Sequence, residues 1–276
     1  MSYVHADLHT HTRASDGALS PADLVARAAS RDVQMLSITD HDTMAGYAQL
    51  AATHASLTLV PGVELSTTWS GVGIHIVGLD VDPGNATLRA GLERHAVART
   101  ERALRIGEVL ERAGFTVDME AIRHSAEGLP GRPHFAQHLV ETGQVADSQI
   151  VFKKYLGAGK PGDIKVGWAS MNEVVEWITS AGGIATIAHP ARYRLTRTKL
   201  RRLIDAFTDA GGQALEVISG KQTDDITAHL AKLCGLHGLL ASCGSDFHRV
   251  SGYGADVGAA MTLPASCEPV WSHFRQ

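Results

Sequence analysis

The stretch DLHTHT, residues 7–12, begins inside a short apolar run at 4–8 and places His9 and His11 two positions apart directly after it. Residues two apart on a strand point to the same face, so both imidazoles can reach one ion. The same spacing returns in GSDFH, residues 244–248, with Asp246 and His248. Paired ligands at a strand end predict a metal site at one rim of a sheet.

Working outward from these pairs, other metal-competent side chains lie at or near the ends of further apolar runs. Short runs that predict strands lie at 4–8, 35–39, 57–60, 74–79, 184–188, 214–218 and 239–242. The carboxyl ends of strands form the ligand face of parallel α/β folds. We therefore expect one shared metal site, with ligands His9, His11, Asp16, His41, Glu64, His75, His189, Asp246 and His248.

The strands alternate with helical patterns, which indicates an α/β fold with a mostly parallel sheet. The clearest helix start is SPAD at 20–23, with an N-cap serine followed by proline. The alternation stops over 82–165, where a long helical pattern and a Gly/Lys/Pro-rich loop follow one another. We predict a main α/β unit made of 1–81 and 166–276, with 82–165 as a helical insertion that caps the site.

Composition limits the class of protein further. The chain has 276 residues, of which 44% are hydrophobic and 20% charged, and this excludes disorder, collagen and coiled coil. A net charge of -4 is unlike the basic surface of a duplex-DNA binder, and no apolar run suits a membrane span or a signal peptide. The three cysteines have no metal or redox spacing, which favours a reducing cytoplasm. The 15 histidines favour sites built from imidazole and carboxylate.

Taken together, the motifs identify a family. They are DLHTHT (7–12), SDG (15–17), TDHDT (39–43), GVE (62–64), HIVGL (75–79), AHP (188–190) and GSDFH (244–248). This set resembles the PHP (polymerase and histidinol phosphatase) family of metal-dependent phosphoesterases, over nearly the whole chain. The resemblance implies a distorted seven-stranded (β/α) barrel of PHP type.

The resemblance also implies three linked divalent metals. His9, His11, Glu64 and Asp246 would hold the first. Glu64, His75 and His189 would hold the second, and Asp16, His41 and His248 the third. Manganese is the favoured ion, with iron or zinc as alternatives, because the ligand set lacks thiolate. Metals a few Å apart make hydroxide available at neutral pH and clamp the oxygens of an in-line displacement, with Asp246 as a catalytic ligand.

Three further motifs are similar to the bacterial 3′,5′-nucleotide bisphosphate phosphatases of this family: GRPHFAQHLV (131–140), FKKYLGAGKPG (152–162) and AHPARY (188–193). They imply removal of the 3′-phosphate, with the second phosphate on a cationic rim. The expected rim residues are Arg132, His134, Lys160 and Arg192. His134 is either a phosphate ligand or a general acid for the leaving alkoxide. The expected partner is a small nucleotide or short RNA, not duplex DNA or a membrane.

Several alternatives remain open at this point. Within the family they are a 5′-3′ exonuclease on short oligoribonucleotides and a histidinol-phosphate phosphatase. Outside it they are a non-catalytic metal-binding protein and an amidohydrolase-like C–N hydrolase. Asp42, just before Thr43, is interpreted as a helix N-cap, and His95 as a surface or packing residue. The sequence leaves the oligomeric state undetermined.

Overall fold

The structure is a computed structural model that describes residues 4–50, 57–165, 167–250, 254–259 and 262–275. The strands are β1 (Ala6–Thr10), β2 (Met35–Ile38), β3 (Thr58–Trp69), β4 (Val72–Leu79), β5 (Ile184–Ile187), β6 (Ala214–Ser219) and β7 (Leu240–Gly244). The helices are α1 (Pro21–Ala29), α2 (Ala45–Ala48), α3 (Ala86–Arg112), α4 (Met119–Ser125), α5 (Arg132–Glu141), α6 (Ser148–Val151), α7 (Met171–Ser180), α8 (Arg197–Asp209) and α9 (Asp224–Leu236). None of these helices has the length and apolarity that a bilayer crossing requires.

The strands form one seven-stranded sheet in sequence order, from β1 to β7. The sheet curls until its ends meet: the His11 backbone N–H donates to the Phe247 carbonyl at 2.9 Å, and the Asp246 N–H donates to the His9 carbonyl at 2.8 Å. Gly244 permits this approach, because a Cβ there would lie 2.2 Å from the His9 Cβ. The expected seven-stranded α/β barrel is confirmed.

The hairpin of β3 and β4 differs from the prediction. The third strand was expected at 57–60, with Glu64 after it, but β3 is twelve residues long and Glu64 lies inside it. Ser70 and Gly71 both adopt positive φ, 47° and 75°, and turn the chain directly into β4. Strand β4 then pairs antiparallel with both β3 and β5. His75, near the start of β4, therefore reaches the same rim as ligands that follow parallel strands.

Helix α3 begins at the opposite rim, where β4 ends, and carries the chain away from the barrel core. Its 27 residues span about 40 Å at 1.5 Å per residue. Leu88, in its first turn, belongs to the main barrel core. Ala103 and Ile106, near its far end, belong to a different apolar cluster. One helix thus connects two separately packed cores.

The second cluster lies among the helices between β4 and β5. Helices α3, α4, α5 and α6 contribute to it, together with the π-helical turn Phe152–Leu156. Its buried members are Ala103, Ile106, Leu110, Ile122, Phe135, Ala136, Leu139, Val151 and Leu156. Phe135, an aromatic of this segment, is fully buried and so cannot contact a ligand.

Close packing of α3 on α7 leads to a stability prediction. A Cβ on Gly91 would lie 2.3 Å from the Trp177 indole, so Gly91→Ala forces the two helices apart. We expect a loss of about 1–3 kcal/mol in the free energy of unfolding, measured by urea denaturation.

Gly235→Ala is the matched control. Gly235 lies in α9, and a Cβ there would meet nothing within 4 Å. Because alanine favours helix, this variant should gain about 0.5–1 kcal/mol. Equal stability of the two variants would contradict the packing argument.

Candidate functional site

The structure brings all nine predicted metal ligands together at one rim of the barrel. They come from β1, β3 and β4 and from the segments that follow β1, β2, β5 and β7. Their nitrogen and oxygen atoms fall into overlapping groups within 4.8 Å: His11, Asp16, His41 and His248; His9, Glu64 and His189; His9, His11 and Asp246; His41, Glu64 and His75. Shared members connect the groups into one continuous cluster.

Glu64 lies at the centre of this cluster and is fully buried. Its Oε2 is 3.0 Å from His41 Nδ1, and its Oε1 is 2.9 Å from both His75 Nδ1 and His189 Nε2. Burial would raise the pKa of Glu64, but His41, His75 and His9 outweigh it and hold that pKa well below the usual range. The carboxylate is therefore ionised, and each of its oxygens can serve a different ion.

Two more carboxylates flank the centre. Asp246 Oδ1 lies 3.1 Å from His11 Nε2 and 3.4 Å from His9 Nε2. Asp16 lies on the other side, with Oδ1 3.3 Å from His248 Nε2. Burial acts to raise the pKa of both carboxyls, yet the surrounding imidazoles lower both pKa values well below normal. Despite burial, the same carboxylates raise the pKa of His248 to about 10, so in the metal-free cluster the positive charge that balances them lies on imidazole, where bound cations could replace it.

The unpaired atoms of the cluster test whether metal ions fit. Six of its buried nitrogen and oxygen atoms make no hydrogen bond of acceptable geometry, although several lie close to a neighbouring ligand: His9 Nε2, His11 Nδ1, Asp16 Oδ1, His41 Nδ1, Glu64 Oε2 and His189 Nδ1. Buried polar atoms are almost always paired, so this concentration at one place requires an explanation. Imidazole nitrogens and carboxylate oxygens are ligands for Mn, Fe and Zn. The residues therefore fit divalent ions.

Backbone strain accompanies the site. His189 and Asp246 have φ values of 30° and 50°, in the left-handed region that residues other than glycine rarely adopt. Asp42, beside the cluster, has φ of 54°. Strained residues of this kind persist where the surrounding structure fixes them, and they concentrate at functional sites.

Sequence reasoning missed Glu216, which lies on β6 and is 2% exposed. Its Oε1 is 3.1 Å from His9 Nδ1, and its other oxygen accepts the His189 backbone N–H. A carboxylate on one imidazole nitrogen fixes the ring and directs the other nitrogen to the metal side. In sequence, Glu216 is a lone acid in the run ALEVIS, and only its inward position on a strand could have indicated it.

The interpretation of Asp42 as a helix N-cap is wrong. Helix α2 begins after Met44, which makes no side-chain cap bond. Asp42 instead accepts hydrogen bonds from Arg99 Nε at 2.6 Å and His95 Nδ1 at 2.8 Å. Both partners lie on α3, so this fully buried carboxylate ties the long helix to the metal rim.

A cavity of about 970 Å³ opens between the metal cluster and the helices of the insertion. Asp16, His41 and His75 reach it from the barrel side. The predicted rim residues Arg132, Lys160 and Arg192 also line it. The cavity therefore has metal ligands on one wall and basic side chains around the others.

Two arginines that the sequence did not single out line the same cavity. Arg99 and Arg102 lie one turn apart on α3, each with its guanidinium carbon 5.8 Å from the Trp168 ring centroid. Burial, with Arg132 and Arg99 nearby, lowers the pKa of Arg102 to about 9. Clustered, partly desolvated arginines attract an anion. The sequence shows their spacing along α3, but it does not show that both side chains point into the cavity.

Two of the predicted rim residues, Arg192 and His134, are already held by neighbours, and His134, unlike Arg192, is not among the residues that line the cavity. Arg192 donates to Asp246, which places its guanidinium at the metal cluster. His134 is the third residue of α5, and its Nδ1 accepts the Gly131 N–H at 3.0 Å. A neutral His134 ring therefore carries its proton on Nε2. Burial is the main influence on His134 and lowers its pKa, although Asp16 partly opposes this.

Comparison with known proteins agrees with this geometry. Residues 7–116 match the PHP domain model. The chain is 45% identical over 272 residues to a 3′,5′-nucleoside bisphosphate phosphatase of Chromobacterium violaceum, covering 97% of this chain and 95% of that one. It is 42% identical over 270 residues to a 5′-3′ exoribonuclease of Haemophilus influenzae, covering 97% and 98%.

Solved structures show the same fold. An amidohydrolase of Chromobacterium violaceum, solved with bound sulfate and no metal, superposes with a TM-score of 0.90 at 44% identity, covering 98% of this chain and 95% of that one. The match to the PHP domain model, the near-complete coverage of both relatives and the shared barrel agree with the resemblance carried by the metal-ligand motifs. The chain belongs to the PHP family.

Proposed function

We propose that this chain removes the 3′-phosphate from nucleoside 3′,5′-bisphosphates, such as adenosine 3′,5′-bisphosphate, which yields AMP. One observation carries the proposal: a single cavity has metal ligands on one wall and the guanidinium groups of Arg99, Arg102 and Arg132 on another. A substrate with two phosphates needs two such anion sites. The Chromobacterium violaceum relative, a bisphosphate phosphatase by name, supports this substrate.

We assign the nine clustered residues as metal ligands, with three divalent ions and manganese as the favoured one. Glu64, which belongs to two of the ligand groups, would bridge two ions. Bound divalent ions polarise a phosphate, lower the pKa of water and neutralise charge on the attacking and leaving oxygens. The ion identity, the count and the cytoplasmic location stay predictions.

The protein's own side chains orient the substrate. Arg192, held against Asp246, binds the phosphate that lies at the metal cluster. Arg132 and Lys160 bind the 5′-phosphate on the insertion side, where Arg forks match phosphate oxygens. Trp168 offers a ring face inside the cavity for the base.

His134 is assigned as a hydrogen-bond donor to phosphate. Burial lowers its pKa, so the ring is neutral at pH 7, with its proton on Nε2. A neutral imidazole is a poor acid toward an alkoxide but donates readily to a phosphate oxygen. This chemistry supports the role of phosphate ligand, one of the two roles that the sequence leaves open.

A second candidate is 5′-3′ hydrolysis of short 5′-phosphorylated RNA. The Haemophilus influenzae relative, an exoribonuclease by name, favours it at 42% identity. The chemistry is the same, because in both substrates the bond to the 3′ oxygen of the terminal nucleotide is broken. The cationic wall would hold the 5′-phosphate in both.

Metal dependence gives the first test of this function. Chelation should abolish phosphate release from adenosine 3′,5′-bisphosphate, and Mn²⁺ should restore it. Excess metal should also raise Tm, since an ion at 100 times its Kd stabilises the folded state by about 2.7 kcal/mol. Asp246→Asn should lower turnover by at least about 100-fold and reduce metal content, measured by elemental analysis.

Asp209→Asn, an exposed carboxylate in α8, is the control and should keep metal and activity. Full activity in chelator, or metal-independent Tm, would argue against metal catalysis and for another site.

The cationic wall gives the second test. Arg132→Gln should raise KM for adenosine 3′,5′-bisphosphate about 10- to 100-fold, because a hydrogen bond to a charged group contributes about 1.5–3 kcal/mol. Since Arg132 also donates to the Leu156 carbonyl at 3.0 Å, Lys160→Gln provides a second variant with the same expected direction.

Adenosine 3′-monophosphate is the comparison substrate, and its KM should not change because it lacks the 5′-phosphate. Arg105→Gln, an exposed arginine on α3, should leave both substrates unaffected. An equal rise of KM for both substrates in Arg132→Gln would place this arginine at the scissile phosphate instead.

A further inference from the structure

A second cavity, of about 500 Å³, adjoins the metal cluster at His189. Its lining comes from the segments that follow β5 and β6 and from the start of α9: His189, Ala191, Arg192, Ser219, Lys221, Gln222, Thr223 and Ile226. Its volume is within the range of roughly 300–1,000 Å³ that is usual for small-ligand sites. Residues of the helices between β4 and β5 line the first cavity, whereas none of the residues that line this one belongs to those helices.

Arg192 forms the wall between the two cavities and lines both. Its guanidinium pairs with Asp246, and His189 also lines the second cavity. Both Asp246 and His189 are assigned as metal ligands. A phosphate bound at the metal cluster therefore borders both cavities. A substituent on that phosphate can enter the second cavity without displacing anything from the first.

The lining of the second cavity suits a nucleotide. Arg192 and Lys221 supply positive charge, and Ile226 supplies an apolar surface. Ser219 is only 6% exposed, and its Oγ has no hydrogen-bond partner. The Gln222 side chain donates to the Val217 carbonyl at 2.7 Å and accepts the Ser219 N–H at 3.2 Å, which fixes the segment that carries these groups.

We propose that this second cavity holds the nucleotide on the 3′ side of the scissile phosphate when the substrate is a 5′-phosphorylated oligoribonucleotide. The inference rests on the proposed function and gives its second candidate a physical site. Water adds its oxygen to the phosphorus, and the bond from phosphorus to the 3′ oxygen of the terminal nucleotide breaks. That oxygen takes a proton, and the shortened RNA keeps the phosphate as its new 5′ end.

The two cavities also account for direction. The first cavity accommodates the terminal nucleotide and has a cationic wall for its 5′-phosphate. The second cavity lets the strand continue toward solvent. This arrangement favours an RNA bound with its phosphorylated 5′ end under the insertion, and an adenosine 3′,5′-bisphosphate leaves the second cavity unused.

The test fills the second cavity and compares two substrates. Thr223 is the N-cap residue of α9 and makes no side-chain cap bond, so Thr223→Trp should fold and block the cavity. We expect its kcat/KM to fall at least 10-fold for 5′-phosphorylated triadenylate and to stay within 2-fold for adenosine 3′,5′-bisphosphate. Lys221→Gln should raise KM for triadenylate alone, while Lys232→Gln, farther along α9, should change neither substrate.

Photocrosslinking gives a readout independent of turnover. A 5′-phosphorylated trinucleotide with 4-thiouridine at its second position, mixed with chelator-treated protein, should crosslink within 219–226. Crosslinks elsewhere, or an equal effect of Thr223→Trp on both substrates, would overturn the proposal. Hydrolysis of the bisphosphate without that of triadenylate would overturn it and leave the phosphatase function standing. If neither substrate reacts, the proposed function fails, and the crosslink position alone decides the cavity.

Discussion

The structure depends on one buried charge, the carboxylate of Glu64. It has no exposed surface, yet its pKa is held low by imidazoles that arrive from neighbouring strands and loops. An ionised carboxylate in such a place is strongly destabilising unless positive groups or ions surround it. The closed barrel supplies these groups by bringing segments distant in sequence to one rim. The residues that compensate the charge of Glu64 are also those that can bind metal, so the same side chains stabilise the fold and form the site.

The same logic extends outward to the insertion. Asp42 is a second buried carboxylate, compensated by Arg99 and His95 from α3. Burial would raise the pKa of Asp42, but these two partners hold it far below normal. The pair fixes how far α3 stands from the metal rim. It also orients Arg99, because Nε is used for the ion pair and the guanidinium tip remains available to the cavity.

The sequence was sufficient to predict that nine His, Asp and Glu side chains come together, because most of them lie at or near the end of an apolar run and the residue types repeat a family pattern. It was not sufficient for residues whose role depends on a partner distant in the chain. Glu216 on β6 and Asp42 after β2 acquire their roles only through His9 and Arg99. The length of β3 was underestimated for a related reason. Glu64 interrupts the apolar pattern of the strand, and only the pairing with β4 explains why β3 continues through it.

The length of helix α3 sets the distance between the barrel and the core of the insertion. It starts at the far rim, is fastened at mid-length through Asp42 and ends in the core of the insertion. Each turn added or removed beyond the fastening point would move the insertion by about 5.4 Å relative to the metals. The distance from the metal-ligand rim to the insertion can thus change without a change in any metal-ligating residue. The metal-ligand rim can therefore stay the same while a longer or shorter α3 changes the size of the molecule that the cavity accepts.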